Sequence, residues 1–182
     1  MDDHRHRQGG PSRGHEDPRS VLDPHAWLSP KRLALQARMV TEALKRLDPS
    51  RAKDFDLTLG ELLSELDELD RRIKATLAPY RGRAFVVFHP SWGYFADDYG
   101  LTQIAIEIEG KEPTDAEITR LQRQVQALDI PVVFVQPQIA GRAARAVADA
   151  MGAELETLDP LAAEIPANLE RAAKAIAESF HG

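Results

Sequence analysis

The 182 residues contain no cysteine. That excludes a disulfide scaffold and any thiolate metal site, and leaves the redox compartment open. No apolar run approaches the ~20 residues needed to span a bilayer. The charged N-terminus carries no signal-peptide core, so the chain is expected to be soluble, with no export address of its own. Positive charge is also in short supply, with 23 Lys and Arg against 29 Asp and Glu and a net charge of -6. Nucleic acid wants a basic stripe, and this balance argues against such a partner. The spaced glycines of a phosphate loop are missing as well: "GRAARA" at 141 follows an apolar run but lacks them. No Ser-His-Asp, Cys-His or HExxH arrangement is visible. What remains is an ordinary composition, 43% hydrophobic and 29% charged, long enough for one sizeable domain with a real core.

Residues 1–20, "MDDHRHRQGGPSRGHEDPRS", hold almost no apolar side chains. Such a segment cannot offset its ordering entropy and reads as disordered. It contains His4, His6 and His15, either a chance cluster or tag remnant, or a loose trap for transition metals. The first ordered piece is "DPHAWLSP" at 23–30, where Ser29-Pro30 signals a helix start. That helix runs to about Leu47 and is stopped by Asp48-Pro49. Phe55, Leu59, Leu62, Leu66, Leu69, Ile73 and Leu77 then recur at helical spacing and predict one long amphipathic helix ending near Ala78.

Beyond "PYRGR" the pattern changes. "AFVVF" (84–88) and "IPVVFVQ" (130–136) are continuous apolar runs, as in parallel strands covered on both faces. "LTQIAIEI" (101–108) suits a strand nearer the edge, and "AELETL" (153–158) is a weaker fourth. Helices are expected at 90–98, 114–128, 138–151 and 160–180, with a capping box at Thr114 and Glu117. Strands alternating with helices in this way give an α/β fold, a parallel sheet of about four strands flanked by helices.

Ligands of such sheets bind beyond the carboxyl ends of the strands. Those ends carry His89, then Glu107, Glu109 and Gly110, then Gln136-Pro137-Gln138, then Asp159-Pro160. His25 lies in the Asp-Pro-His-Ala-Trp turn before the first helix. Two imidazoles and a carboxylate would make a borderline nitrogen and oxygen site suited to Zn²⁺ and tolerant of Mn²⁺. Each of these residues also has a plainer reading. His89 could be a hydrogen-bonded strand end, Asp159 the N-cap of the last helix, Glu107 and Glu109 solvated acids, and Trp27 a staple. Trp92, Tyr94 and Phe95 read most simply as core anchors.

"DPHAWLSP", "FHPSWGYFADDYGL", "IEGKEPTDAEI", "PVVFVQPQ" and "ELETLDPL" occur in that order. Together they resemble the metal-receptor (solute-binding) proteins of zinc and manganese ABC transporters, the zinc-uptake branch in particular. The resemblance implies an extracytoplasmic receptor of two α/β lobes joined by a long helix, with metal held in the cleft by three histidines and a carboxylate. A membrane permease is its partner. By position, His25 matches the DPHxW ligand, His89 the second-lobe ligand and Asp159 the late acid, while His4, His6 and His15 match the tail of a His-rich accessory loop. On this reading 1–20 is the loop remnant, 21–48 the DPHxW segment with the inter-lobe helix, and 49–182 the C-terminal lobe. The first lobe would then be absent. Two competing readings are a single-lobe interaction module that self-associates through the uncovered face, and a metal hydrolase using Glu107 or Glu109 as base.

Overall fold

The computed structural model describes residues 23–107, 114–128, 130–138 and 142–181. Expectations about residues 1–20, with His4, His6 and His15, and about Glu109 and Gly110 lie outside the described residues.

Helix α1 (Pro30–Leu47) starts where sequence chemistry places it. The Ser29 hydroxyl accepts from the Arg32 amide at 3.1 Å, and proline occupies the first helical position. Asp48 ends it, and a 3₁₀ turn (Pro49–Arg51) reverses the chain into α2 (Ala52–Leu77). The C-terminal half of α2 buries Leu66, Leu69, Ile73 and Leu77. Each such side chain contributes about 1.5–3 kcal/mol of transfer free energy. The N-terminal half of α2 instead faces α1.

Four strands follow, β1 (Ala84–Val87), β2 (Thr102–Ala105), β3 (Val132–Val135) and β4 (Glu154–Thr157), all parallel in the order β2-β1-β3-β4. Helices α3 (Gly93–Tyr99), α4 (Asp115–Ala127), α5 (Arg142–Met151) and α6 (Ile165–Glu178) make the connections and close the fold. The continuous apolar runs are explained by burial on both faces. Phe85, Val87 and Phe134 join α2, α3 and α6 in one core, while Val86, Val133 and Val135 join α4 and α5 in the other. β2 is an edge strand, as its mixed pattern implies.

Three helix starts move from where the sequence puts them, and α5 opens at Arg142 rather than at 138. α3 begins at Gly93 because His89-Pro90-Ser91 forms a tight bend, with Ser91 N–H donating to the His89 carbonyl at 2.8 Å. α6 begins at Ile165 with Glu164 as its N-cap residue. Asp159 therefore does not cap the last helix; its carboxylate accepts from the Leu161 amide at 3.0 Å and closes a local turn.

Tyr99 is buried and donates to Asp70 Oδ1 at 3.0 Å. Burial, and then the neighbouring Asp70 charge, push its ionisation far above the usual phenol range. A raised folded pKa contributes stability that is full below the unfolded value of ~10 and is lost as pH climbs through the folded one. The capping box of α4 works in the opposite direction. The Thr114 amide and hydroxyl donate to Glu117, hold its carboxyl below the usual range, and so support this helix start until acid protonates it.

Candidate metal centre

The site is built at the carboxyl ends of β1 and its edge neighbour β2, beside the point where the order of connection reverses. β1 leads to β2 on one side, and the chain then crosses to β3 on the other. His89 follows β1 after the single residue Phe88, and the sheet register carries on beyond the strands themselves. Val87 pairs with Ala105, the Ile106 amide donates to the Val87 carbonyl at 3.0 Å, and the Glu107 amide donates to Phe88 at 2.9 Å. The same offset sets Glu107 opposite His89, and their side chains meet with His89 Nδ1 3.0 Å from Glu107 Oε2. Glu107 is no solvated acid, since its side chain is only 11% exposed against 29% for the imidazole.

His25 arrives from a different element. In the DPHAW turn, Asp23 Oδ1 accepts from the His25 amide at 2.9 Å and lies 2.7 Å from His25 Nδ1. A 3₁₀ turn (Ala26–Leu28) follows, and Trp27 Nε1 donates to the Pro160 carbonyl at 2.8 Å. Trp27 thus staples the turn to the loop after β4. Room for the Asp23 carboxylate comes from Gly93, where a β-carbon would stand 3.0 Å from Asp23 Oδ2.

These two independent placements bring the imidazoles together. The His25 and His89 rings lie 5.3 Å apart between centroids, nearly perpendicular at 81°. Each presents Nδ1 to a carboxylate. Donation of that N–H fixes the tautomer and leaves Nε2 with its lone pair available to a ligand. The arrangement is a pair of oriented, carboxylate-backed nitrogen donors, which suits a borderline metal such as zinc.

Asp159 is placed differently. It follows β4, is half-buried, and its Oδ1 accepts from Gln138 Nε2 at 3.2 Å as well as from Leu161. It neighbours Pro160, which Trp27 ties to the His25 turn. Among the described residues, no group of three or more His, Cys, Asp or Glu side chains is gathered closely enough to hold a metal. The structure thus joins His25 and His89 and leaves the Asp159 carboxylate on its own partners. Asp23 and Glu107 gain roles as orienting groups. For Asp23 a sequence signal existed, since an Asx residue two positions before His25 can close a turn on its amide. For Glu107 the sequence offered only proximity to a strand end.

Comparison with known proteins gives the family. The family model described as ZnuA, zinc-uptake complex component A, periplasmic, matches residues 1–179. The zinc-binding protein AdcA of Streptococcus pyogenes serotype M3 (strain ATCC BAA-595 / MGAS315) is 30% identical over 166 residues, covering 87% of this chain and 32% of that protein. The high-affinity zinc uptake system protein ZnuA of Brucella abortus (strain 2308) is 30% identical over 146 residues, covering 79% of this chain and 43% of that one. A crystal structure of ZnuA superposes with a TM-score of 0.83 at 40% identity, over 87% of this chain and 62% of that chain. A zinc-bound ZnuA deletion mutant does so with the same score and identity over 88% of this chain. The chain thus spans between about a third and two thirds of the length of these relatives. It belongs to the ZnuA family of periplasmic zinc-uptake complex components.

Proposed function

We propose that this chain forms the C-terminal, metal-holding lobe of an extracytoplasmic zinc receptor, the solute-binding component of a metal-uptake ABC transporter. The observation that carries the reading is the His25–His89 pair at the sheet's carboxyl edge, each ring backed by a carboxylate. In the proposed receptor residues 21–48 contribute the DPHxW segment and the inter-lobe helix, and 49–182 the lobe. Zn²⁺ is the cargo, held by the Nε2 atoms of His25 and His89. Asp159 is a third ligand once its bond to Gln138 is exchanged for the metal. Further ligands come from a second lobe outside these 182 residues, and His4, His6 and His15 add weak accessory capture. A membrane permease receives the ion.

Nitrogen donors favour zinc over manganese, which prefers carboxylate and water oxygens. A ligating imidazole is neutral, so protons compete with the metal and binding weakens on acidification. Of the two bases named for the hydrolase alternative, Glu107 is committed to His89 and Glu109 lies outside the described residues; the family is one of zinc-uptake components. Calorimetric titration of the tag-free chain is expected to give one Zn²⁺ per molecule, with Mn²⁺ at least tenfold weaker. Equal affinity for the two ions would remove the zinc assignment, and absence of any zinc heat would remove the receptor reading.

A second reading rests on a different feature. Between α1 and α2 lies an apolar groove of about 800 Å³, lined by Leu33, Val40, Leu44, Phe55, Leu59 and Leu62. Met39, Leu47 and Leu57 stand exposed on the same helical pair. A single-lobe module would bury this face by self-association. Light scattering over a hundredfold concentration range tests it: mass rising toward a dimer, unchanged by zinc or chelator, favours the module.

A further inference from the structure

Both imidazoles sit on short segments that run directly into helices, His25 ahead of α1 and His89 ahead of α3. What ties the start of α1 to α3 is an ionic cluster centred on Asp98. Its Oδ2 accepts from Ser29 Oγ at 2.5 Å, and its Oδ1 accepts from Arg32 Nη1 at 3.2 Å and from Lys31 Nζ at 3.5 Å. Arg32 also reaches Asp97 at 3.7 Å and lays its guanidinium 4.0 Å from the centre of the Tyr94 ring. The Asp98 side chain is 7% exposed, and Ser29 is fully buried.

A carboxylate withdrawn from water in this way contributes little net stability, because well-packed apolar side chains of similar size hold two helices together equally well. An apolar contact, however, tolerates sliding and rotation. A carboxylate with both oxygens engaged, facing a guanidinium that is itself seated on a ring, accepts one relative placement. The cluster cross-links the two elements that deliver the two ligands. We propose that Asp98 is a positioning residue of the metal centre, which sets the separation of His25 and His89 through Ser29 and Arg32. The inference rests on the receptor reading for its consequence and on the metal-free geometry for its test.

Two variants of the whole chain carry that test: Asp98→Asn, which keeps the shape and removes the charge, and Arg32→Lys, which keeps a charge and removes the fork and the ring contact. In the metal-free protein, the nuclear Overhauser contact between the His25 and His89 rings is expected to weaken in Asp98→Asn. Zinc affinity is expected to fall 10- to 100-fold, the range seen when groups supporting metal ligands are removed. Arg32→Lys should lie between wild type and Asp98→Asn in both readouts. The proposal is overturned if both readouts stay at wild-type values in Asp98→Asn, even with a lowered unfolding midpoint, since that is a purely structural role. If Asp98→Asn does not fold, the ring contact and affinity in Arg32→Lys decide alone, with wild-type values overturning the proposal. A wild-type chain that shows the ring contact but binds no zinc sinks the receptor reading, while the ring contact in the variants still decides what Asp98 does.

Discussion

Replacing His89 with alanine is expected to lower the zinc affinity of the chain by about 100-fold or more, a loss of roughly 2.7 kcal/mol in binding free energy. Two nitrogen donors are brought together by the structure, with ring centres 5.3 Å apart, and removal of His89 leaves His25 as the one imidazole of the pair. The same substitution has a second effect that separates the readings. Glu107, only 11% exposed, loses its imidazole partner, and a buried acceptor without a donor costs about 1–3 kcal/mol. If His89 were only a satisfied strand end, the variant would lose stability and keep its affinity. If it is a ligand, affinity falls in calorimetric titration by far more than stability does. Glu107→Gln preserves the neutral hydrogen bond and is expected to cost less, about tenfold in affinity. His181→Ala serves as the control. This histidine pairs with Tyr80 at the far end of the chain, and its loss should leave zinc binding unchanged. Unaltered affinity in His89→Ala would place the metal elsewhere.

The largest expected loss of stability belongs to α3. Phe95 is fully buried between Trp92 and Tyr99, with ring centres 5.5 and 4.9 Å away in edge-to-face contact. Phe95→Ala is expected to destabilise the fold by about 3–5 kcal/mol, because the removed ring leaves a cavity that a sheet-and-helix core cannot collapse to fill. Domains of this kind are stable by only about 5–15 kcal/mol, so the variant should unfold at a clearly lower denaturant midpoint with little change in slope. Packing also links this position to the site. α3 begins just after the His89 bend, and the Trp92 amide at its start donates to Gln103 Oε1 at 2.6 Å. A loosened α3 should therefore shift the metal titration as well. A cost below about 1 kcal/mol would show that the α3 aromatics do not anchor the core.

Much of the architecture was legible in the residues because the signals were local. Ser29-Pro30 started α1, Asp48-Pro49 stopped it, and the leucines of α2 recurred at helical spacing. The runs "AFVV" and "VVFV" announced strands buried on both faces. Where local chemistry competed, the boundaries moved. Pro90 forced a bend that delayed α3, and Asp159 spent its carboxylate on a turn and left the start of α6 to Glu164.

The sequence by itself therefore determined the elements, their order and which histidines stand at the ends of ordered segments. Only the tertiary structure decided which groups meet. The parallel register of β1 and β2 sets Glu107 opposite His89, and the Asp98 cluster with the Trp27 staple brings His25 across to them. Those pairings depend on strand order and helix docking, which join residues far apart along the chain. Hydrophobic periodicity specifies a buried face; it carries no information about which polar side chain will lie opposite another when two such faces pack.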